Sequence, residues 1–535
     1  MRAEKTPTAI KKRAQNETAL ERFGLSTLRD RLPLVFPRDP TLPPSPKRRY
    51  RSHYCYQGIG LEEDGEMLES LSPFEVSLRL FDFSLLEPLL AAHIYAPSAK
   101  GQTPFHPVSM YLLSLFRRER NLSRREVLRV SRHEEEGSWL RHYTGFQDDF
   151  PSESGLRYFE GCITPELQQE INALQIDMLY QAGLLPTQPD AEAPVSLSFD
   201  GMLHEARSRM RCVHARASCY QPAPRPCPAQ EKGKQGCDCT TTDCLQVCRC
   251  ATPRDPEARL IVYSGNKQPP KSPNAPLKDK DQRSARGRRV YGYYSYAGQM
   301  VDDDLATYWI LPATFGPATR GDETCFPDAF RYLQSRFPWL TIQEVIADAG
   351  AGEQTCLDMI WEAGALRMVD IRGHKSDDDP DILLMRGYDD KGYPLCPFGY
   401  PMRANGHDYQ RRRTKWRCGH VCRTHTERLA PECAYLESGH KHGYTITVGR
   451  THADGSVRLA REIPYGSPAW KARYNRRNAA ESRNSALERL GLKRLPVHGL
   501  PRGHVTILQG DFVTNQRTLV RLVRQATALR PPAST

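Results

Sequence analysis

The sequence predicts an α/β fold, a mixed-sheet core with a helical region ahead of it and two cysteine-containing insertions within it. Three observations lead there. Between about 76 and 190 apolar residues recur at three-to-four spacing, as on one face of a helix; from Val195 onward short apolar runs alternate with helix-length segments. The 16 cysteines are clustered, eight between Cys212 and Cys250 and four between Cys396 and Cys433.

At 535 residues the chain exceeds the roughly 250–300 at which one hydrophobic core stops growing, so more than one domain is expected. Its 75 Lys and Arg outnumber 63 Asp and Glu, for a formal charge of +12, which suits a polyanionic partner without requiring one. No apolar run approaches the ~20 residues that cross a bilayer, and the start MRAEKTPTAIKKRAQ has no apolar signal-peptide region. A soluble, cytoplasmic protein with no membrane partner is the expectation. In a reducing compartment, clustered cysteines favour metal over disulfides.

Residues 1–75, rich in Pro, Arg and Ser, read as an arm or linker. Residues 76–190 read as a helical domain, in which Val108, Tyr111, Leu112, Leu115 and Phe116 keep helical spacing and Ser123 opens a second helical run. The two runs on either side of Asn121 resemble a helix-turn-helix that offers Arg124, Arg125 and Arg129 to DNA. A helical bundle with a solvated basic face fits the same residues equally well.

The alternation Val195-Ser-Leu-Ser-Phe199 reads as a half-buried strand running into Asp200 and Gly201. Strands are expected over 289–296 and 308–311, a helix over 323–337, and a strand at 344–347 that delivers Asp348 into a glycine-containing turn. A helix over 354–364 and a strand over 366–371 follow. Aspartates at the carboxyl ends of core strands are where an open α/β sheet usually keeps its chemistry. A third carboxylate comes from the segment 474–489, which lacks Pro and Gly and places Tyr474, Arg477, Glu481 and Glu488 on one helical face.

That segment resembles the signature of bacterial insertion-sequence transposases of the DDE type: Tyr, two residues, Arg, three residues, Glu, six residues, Lys or Arg. Tyr474, Arg477 and Glu481 match in type and spacing; the last position is Glu488, with Arg489 one residue later. Leu197-Ser-Phe-Asp200-Gly201 and Ile346-Ala-Asp348-Ala-Gly350 resemble the two strands bearing the family's catalytic aspartates, and the runs from Tyr291 and Trp309 resemble the strands between them. The resemblance covers most of 100–372 and 467–530 in the family's order. It implies a ribonuclease H-like catalytic domain over 191–495 and a C-terminal basic helical segment over 496–535.

It further implies that Asp200, Asp348 and Glu481 hold two Mg2+ ions, with Mn2+ able to substitute, and cut and rejoin DNA strands. Tyr474, Arg477 and Arg489 would contact the DNA end. The expected partners are double-stranded DNA, as element ends and target, and a second copy of the chain in a homodimer or larger DNA complex, associated with the nucleoid. Each residue has an ordinary alternative: an aspartate after a strand is commonly a turn cap, and Glu481 is positioned to pair with Arg477 one turn away. Two other readings share the residues, a different ribonuclease H-like nuclease and a non-catalytic DNA-binding protein derived from a transposase.

The intervals between the three carboxylates are longer than a bare core needs, and the cysteine clusters fill them. The first insertion, 212–288, has Cys237, Cys239, Cys244, Cys248 and Cys250 as candidate zinc ligands. The second, 373–466, reads as zinc-ribbon-like, with a tight glycine turn at Cys396 and a spaced pair at Cys418 and Cys422, joined by Cys433. A flexible loop with free thiols is the alternative for the first, and a scatter of unligated buried thiols for the second.

Overall fold

The computed structural model describes residues 17–24, 27–28, 30–38, 48–57, 65–95, 102–135, 137–147, 149–189, 192–208, 211–212, 251–252, 255–263, 288–370, 387–389, 393–396, 399–408, 413–419, 445–449, 463 and 468–528. Its centre is a mixed seven-stranded sheet: β1 (Val195–Glu205), β2 (Arg259–Tyr263), β3 (Arg288–Asp302), β4 (Thr307–Ile310), β5 (Thr314–Pro317), β6 (Ile342–Ala347) and β7 (Leu366–Val369). The order along the sheet is β7, β6, β1, β3, β2, with β4 and β5 also paired to β3. β6 runs parallel to both β1 and β7, whereas the pairings of β3 are antiparallel.

The helices that matter for the site are α1 (Pro107–Glu119), α2 (Arg124–Arg132), α3 (Pro165–Gln181), α4 (Asp322–Arg336), α5 (Gln354–Glu362), α6 (Pro468–Tyr474), α7 (Asn478–Arg489) and α8 (Leu500–Ala528). Side chains alternate across a strand, so neighbours in β1 face opposite layers. Phe199 packs on Phe326 and Phe330 of α4, with ring centroids 5.0 and 6.3 Å away. Asp200 therefore faces the other layer, to which α6 and α7 belong. There Trp470 of α6 packs on Ile346 of β6 and Met368 of β7.

Two expectations about the chain ends change. The segment 1–75 is not simply a linker: Phe23, Leu28, Leu34 and Phe36 are buried, Phe23 stacks on Trp309, and Leu34–Val35 pairs in parallel with Phe81–Asp82. The Pro- and Arg-rich composition hid a few large apolar anchors. The C-terminal segment is helical as expected, yet α8 is buried over most of its 29 residues rather than a basic appendage. Asn172 of α3 donates to Leu508 O at 2.8 Å, and Asn515 donates to Ile310 O at 2.9 Å. One helix thus ties the helical region to the sheet, a role only long-range packing creates.

α1 is buried throughout and α2 begins with a Ser123–Glu126 capping box, each side chain satisfying the other's backbone N–H. Asn121 takes the left-handed conformation, φ 52°, in the turn between them. In the second insertion a three-stranded antiparallel sheet joins Arg403–Asp408, Arg413–Arg417 and Thr445–Gly449. No helix among the described residues is long and apolar enough to cross a membrane.

Candidate active site

Strand register brings the two aspartates together. β6 pairs Ile346 with Ser198 of β1 in parallel, and two residues further along both chains lie Asp348 and Asp200. Asp348 follows the last residue of β6 and caps the short turn Ala349–Ala351, accepting from Gly350 N at 2.7 Å. Asp200 does not sit at a strand end as expected. It lies in the middle of β1, which continues to Glu205 because β3 pairs with it along nearly that whole length, while β6 pairs with β1 only as far as Ser198, two residues before Asp200. The shorter neighbour leaves Asp200 open on one side.

Asn484 of α7 donates to Asp200 Oδ2 at 2.8 Å. Burial pushes the Asp200 carboxyl up to about 6, the charge of Arg477 opposes that rise, and Asp348 and, more weakly, Glu481 add to it. Electrostatically the three expected carboxylates form one neighbourhood. Geometrically Glu481 stands apart: its side chain is 62% exposed and lies 3.7 Å from Arg477 Nη2. Among the described residues no group of three or more His, Cys, Asp or Glu is gathered closely enough to hold a metal ion.

A further carboxylate, absent from the sequence reading, reaches the same place from the other layer. Asp322, first residue of α4, accepts from the Tyr294 hydroxyl and hydrogen-bonds the Asp348 side chain. Burial first, and the Asp348 charge second, push it up to about 8. Two glycines make the approach feasible. A Cβ on Gly350 would lie 2.4 Å from Asp322 Oδ2, and one on Gly201 would lie 1.7 Å from the Tyr294 hydroxyl oxygen. In the sequence, Asp322 is indistinguishable from the acids that commonly open a helix. Asn484 carried no signal at all.

The signature segment is not one continuous α-helix. α6 ends at Tyr474, a 3-10 turn spans Asn475–Arg477, and α7 resumes at Asn478. Tyr474 and Arg477 still meet, with Arg477 Nη1 donating to the Tyr474 hydroxyl at 3.3 Å, and Trp470 stacks on Tyr474 at 4.4 Å. The charge of Arg477 acts on both Asp200 and Asp348. Several other basic residues are engaged internally: Arg473 and Arg476 hold the fully buried Glu344, Arg473 at 2.9 Å, and Arg483 makes a bidentate pair with Asp511, both bonds 2.8 Å. Glu488 is taken by Lys493, and Arg489 is exposed at the end of α7, where its charge acts on Tyr308.

On α2, Arg125 and Arg129 are exposed, Arg125 being 88% so, whereas Arg124 is drawn into a 2.6 Å ion pair with Glu160. For the zinc candidates, Cys396 is buried and accepts at its carbonyl from Gly399 N at 2.8 Å, with Gly399 at φ +84°, which is the tight glycine turn expected there. Cys418 is half-buried, just after Arg413–Arg417. Cys422 and Cys433, like Cys237, Cys239, Cys244, Cys248 and Cys250, lie outside the described residues. No protein-family model, no curated protein and no solved structure matches this chain.

Proposed function

We propose that this chain is a DDE-type DNA transposase with a ribonuclease H-like core, which cuts and rejoins DNA at the ends of its element. The observation that carries the reading is the register of β6 on β1, which sets Asp348 beside Asp200, within reach of the charge of Arg477 of the Tyr-Arg-Glu segment. Antiparallel strands followed by helix-linked parallel strands, with an aspartate on the first strand and one after the next parallel strand, agree with the same family.

Asp200 and Asp348 suit a divalent cation, because the Asp348 charge bears on an Asp200 carboxyl that burial has already raised. They would hold it, with Glu481 completing the set when its carboxylate turns from Arg477. Bound there, Mg2+ supplies activation of the attacking oxygen and charge neutralisation at the leaving one. Asn484 fixes the Asp200 carboxylate by its 2.8 Å bond, and the Arg477 guanidinium would meet a phosphate oxygen of the DNA end.

The outward position of Glu481 favours one alternative, a DNA-binding protein without catalysis. A single assay separates the two. Purified protein is incubated with duplex DNA carrying the inverted repeats that flank its gene, with Mg2+ or Mn2+, and product ends are sequenced. Cleavage at the repeat ends supports the transposase; binding without cleavage under either metal overturns it.

A further inference from the structure

A second feature lies away from the carboxylates, where the helical region meets the start of α8. Arg117, Arg118, Arg124, Arg157 and Arg502 line one cleft, and Glu160 is the only acidic residue among its lining. Glu160 is already divided: its Oε1 accepts from Arg117 Nε at 2.7 Å and its Oε2 from Arg124 Nε at 2.6 Å.

Arg118 is left over. It is 2% exposed, yet among the described residues no carboxylate lies within ion-pairing distance of it. Its Nη2 donates a long 3.3 Å bond to Thr506 Oγ1, and its Nε has no acceptor. Burial, with the charge of Arg117 adding to it, pushes Arg118 down to about 9, so it still carries its charge at neutral pH. An unpaired buried guanidinium is costly, and a cleft that gathers four more arginines around it has the wrong sign to relieve that cost from within.

We propose that this cleft is an oxyanion site for one phosphate group, with Arg118 at its floor and Arg124, Arg157 and Arg502 around it. Guanidinium forks match the several oxygens of a phosphate better than they match a single carboxylate already bound. Arg157 is 61% exposed and held only by a 3.2 Å surface pair with Glu153, so it is free to turn inward. Arg502 is exposed on the first turn of α8. The chemistry is shared by a free or nucleotide phosphate and by a phosphodiester of a nucleic acid backbone. The inference does not depend on the Asp200–Asp348 site.

The test uses the full chain and inorganic phosphate as probe. Titration calorimetry at constant ionic strength should show saturable phosphate binding that weakens at least about tenfold in Arg502→Gln and in Arg118→Gln, with Arg331→Gln on α4 as an unaffected control; a tenfold change is about 1.4 kcal/mol. Because Arg118→Gln can fail to fold, the exposed Arg502→Gln variant decides alone if necessary. Displacement of phosphate by a short DNA duplex identifies the backbone as the source, and displacement by a nucleotide but not by duplex identifies a small ligand. Absence of saturable binding, or equal binding by wild type and Arg502→Gln, overturns the site.

Discussion

Asn484 Nδ2 donates to Asp200 Oδ2 at 2.8 Å, linking the helix of the Tyr-Arg-Glu segment directly to the strand that carries the first aspartate. The contact orients a carboxylate whose pKa burial raises and the charge of Arg477 lowers. Partners of this kind typically contribute about 10–100-fold to metal affinity or activity. Asn484→Ala should therefore lower Mg2+-dependent cleavage by about that factor with DNA binding unchanged, measured on the same end-bearing duplex. Unaltered cleavage would remove Asn484 from the site.

Asp200→Asn and Asp348→Asn should each abolish cleavage while leaving DNA affinity largely intact, since phosphate contacts by Lys and Arg supply most of the binding energy. Gel-shift titration and cleavage on one substrate check this. Ordinary cleavage by Asp348→Asn in Mg2+ would rule out the metal-site reading.

Arg477 donates to the Tyr474 hydroxyl, and its charge acts on both aspartates. Tyr474→Ala and Arg477→Ala should impair processing of the specific element end much more than metal-dependent nicking of arbitrary duplex. Equal losses would point instead to a general nuclease.

Arg483 and Asp511 form a bidentate pair that is 0% and 1% exposed. Removing one partner strands a buried charge, so Arg483→Met should cost about 3–5 kcal/mol in denaturant unfolding, whereas Arg483→Met with Asp511→Leu should cost much less. If the double variant is as unstable as the single one, the pair is held by packing rather than charge.

His204 is fully buried between Leu492 O and Ser295 Oγ, each 2.8 Å away, and burial pushes it down to about 3. An unfolded histidine titrates near 6.5, so below that pH the unfolded chain binds the extra proton and the folded one does not. This contribution to stability is present above pH ~6.5 and is lost as pH falls from there toward 3. Melting temperatures of wild type and His204→Gln, measured from pH 7 to pH 4, should converge as pH falls; parallel curves would show that His204 is not the source.

Local pattern was enough to reveal β1, β3, β4, β6 and β7 with α4 and α5 in their order, though not β2 or β5. The 2.0-residue period at Val195–Phe199, the short apolar run before Asp348, and the helical propensity of 474–489 are properties of neighbouring residues, and they survive in the fold, the last with a 3-10 turn at Asn475–Arg477. The two aspartates were legible for the same reason, each standing next to its own strand signal. What only tertiary structure decided were relations between distant segments. The register of β6 on β1 sets Asp348 level with Asp200, and a shorter neighbour opens the middle of β1. Asp322 and Asn484 join them from helices on opposite layers. Arg473, Arg476 and Arg483 turn inward because Glu344 and Asp511 are buried there and need their charge balanced. Charge along a chain is additive, but whether a charge meets solvent, a ligand or a buried partner depends on desolvation, and desolvation is set by packing.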